Sequence, residues 1–179
     1  TGRDSVSSTI KNLGDFTSTI GETKPGDKAA VHGAFGRFSY LLHFQERDLV
    51  FFAGGIGITP LMGMIRHMRD TGDARSVILL YGNRKEEQIV FREELSGIEE
   101  GAYPHLRTIH VLSEPDDSWK GETGFLDLEK IEKFCGKDLE GKTFYVCGPP
   151  PMLASVLGAL RELRVPDGRI RVEIFSFLS

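Results

Sequence analysis

From position 48 onward the apolar residues fall in short unbroken runs at 49–53, 77–81, 106–112, 144–147 and 170–175. Runs of this length, rich in Val, Ile, Leu, Phe and Tyr, predict strands buried on both faces. Between them apolar positions recur at helical spacing over 60–69, 91–98, 126–134 and 152–163. Doubly buried strands alternating with helices predict an α/β fold, a five-stranded open parallel sheet with helices on both faces. The first 42 residues have another texture: β-branched types at 5–11, a turn at Gly14, a second at Pro25-Gly26-Asp27, an extended piece at 29–32, then Gly33-Ala34-Phe35-Gly36. That pattern predicts a small antiparallel β region, too small to close a core alone and therefore the remnant of a larger β domain. The charged link Gln45-Glu46-Arg47-Asp48 marks the change of texture, which predicts domains at 1–45 and 46–179.

Composition narrows the classes. With 40% apolar and 27% charged residues in 179, the chain can bury a core and stay solvated, so wholesale disorder is set aside. The net charge of −4 is dispersed, and no Lys/Arg stripe could neutralise a run of phosphates, which sets nucleic acid aside. Cys135 and Cys147 share no paired spacing, so a disulfide framework, zinc site or iron–sulfur cluster has no ligand set, and a reducing compartment is expected. Stretches 49–65 and 143–160 lack charge, but glycines with Pro60 in the first, and Gly148 with Pro149, Pro150 and Pro151 in the second, predict strand, turn and helix rather than membrane spans. The chain opens on Thr1-Gly2 rather than Met, which raises the expectation of an upstream portion.

The chemistry concentrates where strands end. Ala53-Gly54-Gly55-Ile56-Gly57-Ile58-Thr59-Pro60 sits where a buried strand turns into a helix, the place where glycines let phosphate oxygens approach backbone N–H groups. Thr59 suits the N-cap and Pro60 the first helical position. The same glycines could equally serve a steric turn. Cys147-Gly148-Pro149-Pro150-Pro151-Met152 closes another strand with a rigid turn and leaves the Cys147 thiol toward the same crevice, unless it is simply a buried small side chain. Gly82-Asn83-Arg84 and Ser113-Glu114-Pro115 follow two further strands, so four strand ends carry turn residues with polar tips, as a nucleotide stretched across a sheet requires. Arg84 and Glu114 have solvated loop charges as their alternative reading. Tyr81 and Lys85 have the spacing of a dehydrogenase pair but are parted by a turn. The five histidines show no H-x-x-x-H spacing, so no metal is expected, and Met62, Met64 and Met68 read as a core face.

These pieces, in this order, resemble the ferredoxin-NADP reductase superfamily, in which a flavin-binding β-barrel precedes a Rossmann-like nicotinamide-nucleotide domain. The resemblance rests on 53–60, Tyr81-Gly82-Asn83-Arg84, Leu112-Ser113 with Trp119-Lys120-Gly121, Cys147 to Met152, and Glu173-Ile174-Phe175. It implies that Gly54, Gly55, Ile56, Gly57, Ile58, Thr59 and Pro60 cradle the nucleotide, with Gly82, Asn83, Arg84, Ser113, Glu114, Gly148, Pro149 and Met152 around it. It places Cys147 and Glu173 beside the reacting rings and Phe175 against the isoalloxazine, with Phe177 the second candidate. Gly14, Asp15, Phe16 and Thr17 resemble the turn that receives the flavin pyrophosphate, and Gly33 to Phe38 the loop that closes the barrel.

The superfamily's Arg-x-Tyr/Phe-Ser/Thr flavin motif is expected just before Ser5 and is absent there, so the chain resembles the carboxyl-terminal portion of a flavoprotein that alone holds FAD weakly or not at all. The implied activity is electron transfer: NAD(P)H gives hydride to FAD, and electrons pass to a separate haem or iron–sulfur acceptor protein or fused domain. Glu114 stands where NADPH-using relatives commonly carry arginine, and a carboxylate repels a 2′-phosphate, so NADH is favoured, with NADPH open through Arg84 or Lys120. The expected location is the cytoplasm, including the cytoplasmic face of a membrane protein. The alternative is a non-catalytic nucleotide-binding or regulatory module.

Overall fold

The computed structural model describes residues 5–33 and 35–175. Thr1, Gly2, Ala34 and Phe177, named above, lie outside them. The described residues divide into two units, one up to Arg37 and one from Phe38 onward. In the first, Asp15–Ser18 forms a single helical turn, α1, followed by a 3-10 turn at Ile20–Glu22. The Thr17 hydroxyl holds this turn by donating to the Leu13 carbonyl at 2.6 Å while accepting from the Leu13 N–H at 2.7 Å. The expected antiparallel strands are missing: among the described residues of this unit there is no β-strand. β-branched residues favour a strand only when a neighbour completes the ladder and covers their side chains. Here Val6, Phe16, Val31 and Phe35 are exposed.

The second unit is the α/β sheet. Its elements are β1 (Asp48–Gly54), α2 (Ile58–Thr71), β2 (Ser76–Asn83), α3 (Arg92–Glu99), β3 (His105–Leu112), β4 (Glu122–Thr123), α4 (Leu128–Cys135), β5 (Lys142–Cys147), α5 (Pro150–Glu162) and β6 (Ile170–Glu173). The strands lie in the order β4-β3-β2-β1-β5-β6, every neighbouring pair parallel. The sheet therefore has six strands rather than the expected five. The added one, β4, is two polar residues that pair with Val111 and Leu112, too short to show any alternation in sequence.

Side chains alternate between two cores, as strand geometry requires. Leu49, Phe51 and Ala53 of β1, with Leu79 and Tyr81 of β2, pack under Leu61, Ile65 and Met68 of α2 and Leu95 of α3. On the opposite face Val50, Phe52, Phe144 and Val146 meet Ile131 of α4 and Val156 and Leu160 of α5. Burial on both faces is why these strands are apolar throughout. Helix α2 begins at Ile58, with Gly57 as its N-cap, so the expected cap at Thr59 is displaced by two residues. The 3-10 turn Gly55–Gly57 brings the backbone into helical conformation early. Pro60 remains in the first turn, where its missing N–H is not needed.

At the amino ends of the strands the sheet is tied to the segment before β1. Arg75 donates to the carbonyls of Glu46 (2.7 Å) and Phe44 (3.2 Å). The Glu46 carboxylate accepts from Arg171 at 3.0 Å and from the Tyr145 hydroxyl at 3.1 Å. Polar side chains thus close this end of the sheet, and the carboxyl ends carry the glycines. Among the described residues no helix is long and apolar enough to cross a membrane.

Candidate nucleotide-binding crevice

Strand order reverses its direction of growth at β1, which has β2 on one side and β5 on the other. The crevice beyond the carboxyl ends of two such strands is the place where an α/β sheet receives a ligand. Register puts the predicted residues there: Gly54 is level with Gly82, Ala53 with Cys147, Cys147 with Glu173 and Asn83 with Leu112. The four predicted strand ends, and that of β6, therefore meet along one rim.

At the β1–β5 seam two turns touch through glycine. A Cβ on Gly57 would collide with the carbonyl oxygen of Cys147 and lie 2.8 Å from the Gly148 nitrogen. One on Gly54 would lie 2.6 Å from Met152 Sδ and 2.7 Å from Pro149 Cδ. One on Gly148 would lie 2.7 Å from Met152 Cε and 3.1 Å from the Gly54 nitrogen. Gly57 is fixed by backbone and Gly54 by the Pro149 ring, while Gly148 abuts the movable tip of Met152. Gly55 is different: its φ is +50° and a Cβ there would meet nothing within 4 Å, so its backbone lies open in the crevice. Ile56, Thr59 and Pro60 are half-buried beside it, Ile58 is buried, and the Thr59 hydroxyl donates to the Ile56 carbonyl at 3.0 Å.

Cys147 is fully buried in the core under α2 instead of open to the crevice. Burial, reinforced by the Glu173 carboxylate, pushes its thiol up to about 12, so it stays protonated. Glu173 is half-buried at the end of β6, and Phe175, two residues on, is exposed.

At the β2–β3 tips the contacts are made by side chains. Arg84 Nε and Nη2 each donate to a carboxylate oxygen of Glu114 at 2.9 Å, a bidentate pair on exposed loops. The Glu114 N–H donates to the Arg84 carbonyl at 2.8 Å and the Ser113 N–H to the Asn83 carbonyl at 3.0 Å, which fixes the two tips to each other. The pairing lowers the Glu114 carboxyl and raises the Arg84 guanidinium from their ordinary values.

Beneath these tips lies a cluster that sequence reasoning passed over. Tyr81, set aside above as half of a false pair, faces His110 across the ladder, ring centroids 5.8 Å apart. Among the described residues, Tyr81 Oη, Asn83 Nδ2 and His110 Nδ1 are buried and find no hydrogen-bond partner. Burial pushes the Tyr81 hydroxyl up to about 12, and burial with the nearby Arg92 charge pushes His110 down to about 4. Arg92 itself lies over the Trp119 ring, 5.6 Å from its centroid. The alternation of Tyr81 and Asn83 on one strand face was the available signal, but the His110 partner depends on a register no local pattern displays.

A profile of the oxidoreductase NAD-binding domain family matches residues 51–157, the span from β1 into α5. The chain belongs to this family. As an NAD-binding domain it is similar to one polypeptide of the Na(+)-translocating NADH-quinone reductase of Idiomarina loihiensis, 32% identical over 168 residues that cover 91% of this chain and 40% of that relative. It is also similar to NADH-cytochrome b5 reductase 1 of Candida glabrata, 32% identical over 170 residues that cover 90% of this chain and 59% of the relative. Among solved structures it resembles the Amycolatopsis cytochrome P450 reductase GcoB, with 26% identity and a TM-score of 0.70 over 87% of this chain and 47% of that one. The resemblance to the nucleotide-binding portion of the ferredoxin-NADP reductase superfamily thus holds. The chain spans about half the length of these relatives.

Proposed function

We propose that this chain is the nucleotide-binding module of a flavin-dependent electron-transfer oxidoreductase, and that its coenzyme is NADH. The observation that carries the reading is the β1–β5 seam, where the open backbone of Gly55 lies beside interlocked glycine turns at the point where the sheet reverses its order. A pyrophosphate fits there because no Cβ occupies the space beside Gly55 and because the positive end of the α2 dipole lies next to it. Gly54, Gly57 and Gly148 shape the seam, while Gly55, Ile56, Thr59 and Pro60 line the nucleotide's path over the buried Ile58, and Met152 and Pro149 close its side. Gly82, Asn83 and Ser113 face its ribose.

Coenzyme choice follows from charge at the β2–β3 tips. The guanidinium of Arg84, which could receive a 2′-phosphate, already has two nitrogens on Glu114. A phosphorylated ribose would have to break that pair and approach a carboxylate, whereas ribose hydroxyls can donate to it.

When bound, the nicotinamide supplies a hydride and FAD takes it up, releasing electrons singly to a haem or iron–sulfur acceptor. The chain's own part is placement: Cys147, protonated and buried, packs beneath the ring site without touching it, Glu173 borders that site, and Phe175, exposed at the end of β6, covers the flavin face until the nicotinamide arrives. We assign the flavin side to residues 1–45, with Gly14, Asp15, Phe16 and Thr17 at its pyrophosphate, and the nucleotide side to 46–179. Gly14 suits such a role, with φ of +80° and open space where a Cβ would stand. The expected location is the cytoplasm or the cytoplasmic face of a membrane protein.

Calorimetric titration of the chain with NADH tests the binding step, and anaerobic addition of NADH to a longer chain carrying the flavin domain tests hydride transfer. Binding followed by bleaching of the yellow flavin absorbance is expected. Binding without bleaching supports the regulatory alternative, and no binding at all overturns the crevice assignment.

A further inference from the structure

The chain contains four methionines. Met62, Met64 and Met68 are buried in the core under α2, at 1%, 7% and 0% exposure. Met152 alone is partly open, in the first turn of α5 on the rim of the crevice. Its thioether bears directly on the seam, because Sδ lies where a Cβ on Gly54 would come within 2.6 Å and one on Gly148 within 2.9 Å. Sulfur thus lies against both glycines and fills the space between the two turns. The two cysteines offer no competing target: Cys135 and Cys147 are buried, and burial keeps both thiols protonated.

We propose that Met152 is an oxidant-sensitive modification site that controls nucleotide binding in the crevice, taking up one oxygen from a peroxide. The inference rests on the crevice being the nucleotide site. In the step, the peroxide O–O bond breaks, one oxygen forms a bond to Met152 Sδ, the sulfur is oxidised by two electrons, and the other oxygen leaves as water. Reversal requires a dithiol-dependent methionine sulfoxide reductase, which returns the oxygen as water and the dithiol as a disulfide.

The consequence follows from what sulfur touches. A thioether is apolar and adaptable, which is how it fills the irregular gap between Gly54, Gly148 and Pro149. A sulfoxide is polar and chiral, and its oxygen must either enter the contact with Gly54 or swing the side chain toward the crevice. The first route pries the β1 and β5 turns apart, and the second puts a dipole of the wrong sign where a phosphate approaches.

The test treats the 179-residue chain with hydrogen peroxide, removes the excess with catalase, maps the added oxygen by peptide mass spectrometry and titrates NADH by calorimetry. Met152 should gain oxygen while Met62, Met64 and Met68 stay unmodified, and the NADH dissociation constant should rise about tenfold. Methionine sulfoxide reductases with dithiothreitol should restore it. A Met152→Leu chain, whatever its own starting affinity, should bind NADH equally before and after peroxide. The proposal is overturned if Met152 stays unmodified, if its oxidation leaves NADH binding unchanged, or if the Met152→Leu chain loses affinity on treatment. An untreated chain that does not bind NADH overturns the crevice assignment instead.

Discussion

At the β1–β5 seam two turns meet backbone to backbone through Gly54, Gly57 and Gly148, whereas at the β2–β3 tips Arg84 and Glu114 meet through long side chains in solvent. The seam has no slack. At Gly57 its geometry is specified by backbone atoms that cannot turn aside, so a substitution there acts on the fold before it acts on a ligand. The tips are the reverse: an exposed ion pair contributes little to folding, so its residues can change and alter which coenzyme is accepted without disturbing the sheet. Position is supplied by the rigid half of the crevice and selectivity by the adjustable half.

Replacing Gly57 with alanine is the strongest way to break this contrast. The new methyl meets the Cys147 carbonyl and the Gly148 nitrogen, which are backbone and cannot turn aside. We expect a loss of about 3 kcal/mol in urea unfolding. A chain with this substitution that unfolds at the wild-type midpoint would show that the seam has slack after all.

Beneath the adjustable tips, His110 gives the second half of the crevice a pH dependence that the seam lacks. The unfolded chain has His110 near its ordinary 6.5 and the folded chain near about 4, where burial and Arg92 disfavour the charged ring. Between those values the unfolded state takes up a proton that the folded state refuses. Stability is therefore complete above 6.5 and is lost as pH falls toward about 4. The loss should approach about 3 kcal/mol. Comparing urea midpoints of wild type and His110→Phe at neutral pH and about pH 4.5 checks this, since carboxylates common to both cancel. If both chains lose the same stability on acidification, His110 is not the group that titrates.

Glu114→Gln probes selectivity at the tips. The amide keeps the shape of the side chain and removes the charge that holds Arg84, so the guanidinium becomes available to a 2′-phosphate. The ratio of NADPH to NADH affinity, measured by calorimetry, should rise about tenfold, with the thermal melt unchanged. A constant ratio would mean that the pair does not set coenzyme choice.

How much of this could be read beforehand depends on how local each feature is. The strands at 49–53, 77–81 and 144–147 announce themselves because burial on both faces leaves nothing but apolar residues. β4 does not, being two polar residues whose strand character comes wholly from β3. The β reading of the first unit is not borne out for a related reason, since a β-branched run needs a partner strand and the described residues of that unit contain none. At the site, the glycines and the polar tips were legible as residues with special conformations or charge. Which glycines serve packing, and that Arg84 pairs with a residue thirty positions away, were not. Those depend on the β2–β3 register and on the approach of the β5 turn, neither of which leaves a periodic trace.

Gly55→Ala supplies the smallest effect and the sharpest test, because it lies two residues from Gly57 and differs only in what surrounds it. Nothing stands within 4 Å of the new methyl, so the cost is confined to holding an L-residue at φ of +50°. That amounts to about 1 kcal/mol, roughly a third of the Gly57 effect. The methyl does project into the space assigned to the coenzyme, so NADH binding should weaken about tenfold in a chain that remains folded. A Gly55→Ala chain as unstable as Gly57→Ala would extend the steric seam to the whole turn, while one that binds NADH as wild type would move the phosphate away from this backbone.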